Sequence, residues 1–374
     1  MSGSEVPVEK DIELVLVTGA GATREFGRYG TKVPTMAEWS NALAEKLDRT
    51  SGAYVTATGL ARDLDAPEFE RRLGRFLRQV PAFTQIGSLL KPSLSFQPSG
   101  PPIAERPLSR WHAQTEFHLS KITDLIHESL YESFSAESID LDAAAQSYGQ
   151  LLQDLRLGNA DSLVYATTNY DLAGEHAIEQ FGGLPDWGAP RQVRDSGSAP
   201  LRVDRIIDGL PRYVPVLHLR GRVGWHRRPD DGTLHSAEIA KHAPGLGTPV
   251  VALPGPGQAH DTEPVIALLW GQFEQALRRA RRVFVLGHSL NDRALVESLR
   301  RNIWPAHRLA VGILGREDDA GEIDQTATAT MNVLRHCLPG ACMITVRFGP
   351  NPVISAQGVR TWTEGITVTP RLPG

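Results

Sequence analysis

Cysteine is almost missing from this chain: Cys337 and Cys342 are the only two among 374 residues. A structural zinc site needs four soft ligands in paired spacing, so no zinc and no other metal site is expected. Two cysteines do not make a disulfide framework either. A reducing compartment, the cytoplasm, is the expected setting. Long apolar runs are missing too, and none approaches the roughly 20 residues that span a bilayer. The start, Met1 to Lys10, is polar and acidic and reads as neither a signal nor a transit peptide. Nor is there an excess of positive charge. The formal net charge is -4, which sets up no global field for nucleic acid. The local run Arg278-Arg279-Ala280-Arg281-Arg282 reads as a solvated helix end, with cations near the negative pole.

What remains is the composition of an ordinary globular protein, 41% hydrophobic and 22% charged, in a chain long enough to bury a large core. Apolar runs with β-branched residues predict buried strands at Ile12–Val17, Ser162–Ala166, Tyr213–Leu219, Val250–Leu253, Val283–Leu286, Leu309–Leu314 and Met343–Phe348. Apolar stripes of helical period lie between many of them. One begins near Thr35, where Thr35 and Glu38 have capping-box spacing, and continues through Trp39, Leu43 and Leu47. Asp65 and Glu68 repeat that spacing ahead of Phe69, Leu73, Phe76, Leu77 and Val80. Further helices are predicted over Ser109 to Leu130, with Phe117, Ile122, Leu125 and Ile126 inward, and over Leu141–Leu157, Pro264–Arg281, Asn291–Asn302 and Glu322–Leu338. Strands alternating with helices indicate an α/β fold, a Rossmann-like doubly wound parallel sheet with a helical insertion. Residues 10–350 read as one domain. The helical insertion covers about 60–158, a loop-rich insertion covers about 182–212, and 351–374 form a C-terminal tail. The stretch His226–Leu246 has no strong period and reads as a further excursion.

Chemistry concentrates where four strands end. In an open α/β sheet the ligand crevice lies outside the carboxyl ends of the strands. Gly19-Ala20-Gly21-Ala22-Thr23 follows the first strand. Its glycines allow backbone to approach a diphosphate, although Arg24 stands where G-x-G-x-x-G has its third glycine; a plain tight turn is the competing reading. Thr168-Asn169-Tyr170-Asp171 follows the second. Asn169 can donate to and accept from an uncharged amide, a ribose or a water, while Asp171 either positions it or caps a helix. His218 and Arg220 stand two apart at the end of another strand, which would put them on one face. His218 is a candidate general base or a satisfied core histidine. Gly287-His288-Ser289-Leu290-Asn291-Asp292 is a second small-residue turn, with Asn291 or Asp292 able to cap the next helix.

Taken together and in this order, the four stretches resemble the sirtuin-like family, in particular the bacterial sirtuin-like NAD hydrolases of antiphage defence. The resemblance runs from about Val15 to Leu314. It implies a Rossmann-type core binding NAD as substrate. By position it assigns Gly19, Ala20, Gly21, Ala22 and Thr23 to the diphosphate and the neighbouring ribose. Asn169 takes the catalytic asparagine's place, Asp171 is its partner near nicotinamide, Thr168 belongs with the cofactor-binding residues, and Gly287, Ser289, Asn291 and Asp292 line the adenosine end. The family's catalytic histidine directly precedes a glycine, and here that place is Arg220, before Gly221. Arginine stays protonated and accepts no proton at neutral pH. His218 would then substitute, with Arg220 orienting a ribose hydroxyl or a phosphate.

The resemblance implies an NAD glycohydrolase that breaks the nicotinamide–ribose bond. Because such activity is toxic, it also implies gating by homo-oligomer assembly, a partner ATPase or helicase subunit, or a phage-derived activator. No membrane and no direct nucleic-acid partner are expected. Arg220 keeps a second reading open, a sensor or scaffold that holds NAD or ADP-ribose without turnover. A protein deacylase is disfavoured by the missing cysteine quartet.

Overall fold

The structure, a computed structural model, describes residues 12–58, 68–77, 79–80, 105–155, 162–188, 199–200, 203, 206–207, 213–228, 230–237, 246–252, 263–288, 290, 292–303, 308–316, 330, 332–339 and 341–348. The Asp65 cap and the tail 351–374 lie outside them.

The centre of the molecule is a parallel sheet. Its strands are β1 (Leu14–Thr18), β2 (Leu163–Thr167), β3 (Leu184–Asp186), β5 (Tyr213–His218), β9 (Arg282–Leu286), β10 (Leu309–Arg316) and β11 (Cys342–Phe348). Their order is β11-β10-β9-β1-β2-β5-β3, and every neighbouring pair is parallel. The central strands are buried along their whole length, as a sheet covered on both faces requires. That is why they read as continuous apolar runs rather than alternating ones. The chain builds one side of β1 with β2, β3 and β5, β5 lying between the other two, then returns to the other side of β1 for β9, β10 and β11. The strand order therefore reverses between β1 and β9, and this switch point is where an open α/β sheet forms its ligand crevice. The α/β, doubly wound expectation holds.

A second sheet was not legible. The strands β4 (Ala199–Pro200), β6 (Gly221–Arg227), β7 (Leu234–Ser236) and β8 (Thr248–Val251) form an antiparallel sheet of order β4-β7-β6-β8. Val250, expected in the main sheet, belongs here. The predicted excursions 182–212 and 226–246 contribute β3, β4 and β7. Strands of two or three residues are too short to show a period, and β6 begins on Gly221 at φ +90, which reads as a turn.

The described helices include α1 (Met36–Thr58), α2 (68–77), α3 (Glu105–Phe134), α4 (Leu141–Asp154), α5 (Ala173–Gln180), α6 (Pro264–Arg279) and α7 (Arg293–Asn302). The capping box forms as expected. The Glu38 carboxylate accepts from the Thr35 amide at 2.7 Å, and the Glu38 amide donates back to Thr35 Oγ1 at 3.4 Å. Trp39, Leu43 and Leu47 are buried beneath it. In α3, Ile122, Ile126 and Leu130 enter the core. Phe117, expected inward, is instead 64% exposed. The basic run also divides. Arg278 and Arg279 occupy the last turn of α6, but Arg282 opens β9, where its buried guanidinium donates to the Leu155 carbonyl at 2.9 Å and to Glu13 at 2.6 Å.

Candidate functional site

The parallel register brings the four stretches to one edge. Thr18, the last residue of β1, lies opposite Thr167 on one side and Leu286 on the other, and Thr167 lies opposite His218. A buried hydroxyl network closes this edge from below: Thr18 Oγ1 lies 2.5 Å from the Tyr165 hydroxyl and 3.0 Å from Thr167 Oγ1. The loops above start from fixed positions.

The first two stretches interlock. The turn after β1 is a short 3-10 helix, Ala20–Ala22, ending on Thr23. Thr23 is buried and donates its hydroxyl to Asp171 Oδ2 at 3.0 Å. Asn169 Nδ2 donates to the same hydroxyl at 3.1 Å and to the Gly19 carbonyl at 3.0 Å. Asn169 Oδ1 keeps no hydrogen-bond partner among the described residues and remains an acceptor beside the turn. The other Asp171 oxygen accepts from the Ala173 amide at 3.0 Å at the start of α5, so Asp171 holds that helix start, and it is linked to Asn169 through the Thr23 hydroxyl. Burial pushes the Asp171 carboxyl above its ordinary range, partly offset by the Ala173 and Thr23 donors. Thr168 is tied back by its amide to the Thr18 carbonyl at 3.0 Å.

The fourth stretch packs directly on the first. The Gly21 amide donates to the Gly287 carbonyl at 2.9 Å, and the Gly19 amide donates to the Leu286 carbonyl at 2.9 Å. Gly287 has φ +62, and a Cβ there would overlap the backbone nitrogen of Ala22. A Cβ on Gly19 would come within 2.7 Å of the His288 ring. In this conformation the glycines therefore serve the close approach of two turns, and two of the amides expected to face a diphosphate face protein carbonyls. The Ala22 amide is likewise taken by the Gly19 carbonyl at 2.8 Å. His288 accepts the Leu290 amide on Nδ1 at 2.9 Å, and burial lowers its pKa to about 4. Ser289 and Asn291, both expected to line the site, lie outside the described residues. Asp292 caps α7, accepting from the Ala294 amide at 3.0 Å.

The third stretch corrects the expectation of a shared face. Strand alternation stops at His218, where β5 ends, and Leu219-Arg220 form the turn into β6. His218 is 1% exposed. Its Nε2 meets Glu175 Oε1 of α5 at 2.8 Å. Arg222 of β6 grips the same carboxylate with Nε at 2.7 Å and a terminal nitrogen at 2.9 Å, and its guanidinium stacks 4.0 Å from the centre of the Trp187 ring. Burial opposes the Glu175 charge, but Arg222 and His218 outweigh it and hold its pKa at about 2. His218 Nδ1 is sealed from solvent without a partner among the described residues, beside the Trp225 ring. A base needs a path to its proton, and in this conformation His218 has none.

Arg220 turns the other way. Its guanidinium meets Asp292 Oδ2 at 2.5 Å and reaches the Ala252 carbonyl at 3.4 Å. Burial alone would raise the Asp292 carboxyl, yet Arg220 holds it below its ordinary range. Buried Glu70 of α2 also lies in the field of Arg220; burial raises its carboxyl, and the Ser40 hydroxyl donates to it at 3.0 Å. Sequence reasoning missed Glu175, Arg222 and Glu70, and it named His288 only as part of its turn. Glu175 stands four residues beyond Asp171, one helical turn along, and that spacing was its only signal.

Among the described residues no group of histidine, cysteine and carboxylate side chains could hold a metal, and no helix is long and apolar enough to cross a membrane. No protein-family model and no curated relative matches the chain. Solved structures do align with it along nearly the whole length. A substituted Sir2 homologue in complex with 2'-O-acetyl ADP-ribose is 14% identical, with 97% of this chain and 96% of that one covered at a TM-score of 0.37. A Sir2 enzyme from a study of mechanism and regulation is also 14% identical, with 96% and 93% covered at a TM-score of 0.31. Likenesses of that size leave the family open, and the α/β assignment rests on the sheet itself.

Proposed function

We propose that the crevice at the carboxyl ends of β1, β2, β5 and β9 takes NAD and that the site hydrolyses its nicotinamide–ribose bond, as a sirtuin-like NAD glycohydrolase. The observation that carries this reading is the meeting of Asn169, Thr23 and Asp171 at the carboxyl ends of β1 and β2, beside the switch point, with Asn169 Oδ1 left as an acceptor among the described residues. Nicotinamide leaves a cationic pyridinium with the bonding electron pair and so departs neutral, without a proton from the protein. The ribose passes through an oxocarbenium-like state. Water bonds to its anomeric carbon and releases a proton to solvent. Asn169 orients that water or a ribose hydroxyl, and the Asp171 carboxylate, when ionised, favours the developing positive charge. This route needs no base at His218. The likeness of the four stretches to antiphage NAD hydrolases supports NAD depletion in defence, gated by self-assembly or by a partner protein, in the cytoplasm.

The Arg220–Asp292 pair favours a second reading, a sensor or scaffold that holds NAD or ADP-ribose without turnover. Release of nicotinamide from NAD, followed chromatographically alongside calorimetric titration, separates the two. Turnover lost in Asn169→Ala supports the hydrolase. Binding without release supports the scaffold. A wild-type chain that neither binds NAD nor releases nicotinamide ends both.

A further inference from the structure

Asn169 is held by its backbone as well as by its side chain. Nδ2 is spent on the Gly19 carbonyl and the Thr23 hydroxyl. The backbone amide donates instead to the hydroxyl of Thr167, two residues back, at 3.0 Å. A hydroxyl that accepts the amide two residues on bends the chain where it leaves a strand. Thr167 is the last residue of β2 and is 1% exposed, so solvent does not compete for that hydroxyl. Its other contacts set the direction of its hydrogen. Thr167 Oγ1 accepts from Thr18 Oγ1 at 3.0 Å and donates to the Thr18 carbonyl at 3.4 Å. A hydroxyl has one hydrogen to give. Thr18 gives its own to Thr167, so the Tyr165 hydroxyl is the donor in its 2.5 Å contact with Thr18. The hydrogens run one way, from Tyr165 through Thr18 to Thr167, and leave Thr167 an acceptor for Asn169. The far end of this ladder has its own place in the fold: the Tyr165 ring lies against Gly174 of α5, where a Cβ would come within 2.1 Å of it.

From this arrangement we infer that Thr167 is the positioning residue of Asn169: its hydroxyl, ordered by the Tyr165–Thr18 ladder, sets the backbone from which the Asn169 side chain reaches the first turn. With the backbone held at Thr167 and Nδ2 held at Gly19 and Thr23, the plane of the carboxamide is fixed, and with it the direction of Oδ1. In the hydrolase reading that side chain orients the water or a ribose hydroxyl, and a displacement of about 1 Å at such a group costs on the order of a hundredfold in rate. Thr167 is buried below the loop and acts only through Asn169. Its neighbour Thr168 is held differently, by an amide that donates to the Thr18 carbonyl at 3.0 Å. Two successive amides of one loop therefore depend on different acceptors, and only that of Asn169 depends on the Thr167 hydroxyl.

The inference rests on the hydrolase reading above, and its test keeps the two apart. Thr167→Val removes the acceptor at nearly constant shape, Thr167→Ala removes it with a smaller side chain should valine not be tolerated, and Thr167→Ser restores it. Nicotinamide release by the full chain is followed against NAD concentration. Either loss variant should lower kcat by about tenfold or more and leave KM within about twofold, the mark of an interaction that acts in the transition state. Thr167→Ser, which keeps the hydroxyl, should return to within about threefold of wild type. A kcat unchanged in the loss variants, a loss carried by KM, or a serine variant as slow as valine overturns the assignment. Hydrogen exchange gives a readout without turnover. In Thr167→Val the Asn169 amide should exchange about tenfold faster than in wild type, while the Thr168 amide keeps its rate, as a local rather than global opening requires. Equal quickening at both amides, or none at Asn169, overturns it. A wild-type chain that releases no nicotinamide ends the hydrolase reading instead, and the exchange rates then decide whether Thr167 holds Asn169.

Discussion

Thr23 and Asp171, 148 positions apart in the chain, are joined by a buried hydrogen bond of 3.0 Å, and Asn169 donates to the same Thr23 hydroxyl. Thr23 is thus donor to one partner and acceptor from the other, and it fastens the first turn to the second. Thr23→Val keeps the shape and leaves Asp171 Oδ2 and Asn169 Nδ2 short of a partner. Loss of a buried partner costs about 1–3 kcal/mol, and urea unfolding at neutral pH should show it. Thr23→Ser should restore most of the loss.

Asp171 carries a pH signature. Its folded carboxyl is raised above the ordinary 3.8 by burial, so the folded state holds the proton more tightly than the unfolded one. Its favourable contribution is complete below about pH 3.8 and is lost as pH rises through the elevated folded value. Asp171→Asn removes this dependence. The stability difference between wild type and Asp171→Asn should drift against the wild type as pH rises through that window, then level off. Parallel denaturation curves across the pH series give the difference directly.

Glu175 behaves in the opposite sense. Its pKa falls from 4.5 to about 2, so its contribution is whole above about pH 4.5 and is lost as pH falls toward 2. Glu175→Gln strands the Arg222 cation among buried groups and should destabilise by about 3–5 kcal/mol, the usual result of removing one partner of a buried pair. The double variant Glu175→Gln, Arg222→Met should recover much of that loss. A double-mutant cycle by chemical denaturation gives the coupling, and simple additivity would show that the pair is not coupled.

Gly287 is set between the two turns with no room for a side chain. Gly287→Ala meets both a left-handed φ of +62 and the Ala22 backbone. A cost above about 1 kcal/mol follows from the backbone strain alone. Calorimetric unfolding should register it, and NAD affinity should change with it. Gly149→Ala, at a helix position where a Cβ meets nothing, should be neutral or stabilising and serves as the control.

Arg220→His tests what the third stretch does. If the residue before Gly221 is the position of a proton acceptor, the variant should release nicotinamide faster than the wild type, with a rising limb in the pH–rate profile near the histidine range. An Arg220→His variant slower than wild type at every pH would place no base there.

The chain's own order of residues specified the parallel sheet because burial on both faces leaves mostly apolar residues in β1, β2 and β9, and such runs are visible without neighbours. The Thr35–Glu38 cap was visible for the same reason, since its partners are three residues apart. The second sheet was hidden because strands as short as Leu234–Ser236 carry no period, and because Gly221 and Gly224 look like turn residues yet begin and bend a strand.

Which residues gather at the carboxyl edge was also written in the sequence, since Gly19, Asn169 and Gly287 each follow, and His218 ends, a strand that the pattern itself marks. What each side chain does there was decided only by tertiary packing. His218 and Arg220, two residues apart in the chain, part company because the strand ends between them. One is drawn to Glu175 from α5, and the other to Asp292 at the start of α7. No local pattern records either partner, because a buried charge is settled by whichever opposite charge the fold delivers within hydrogen-bond reach.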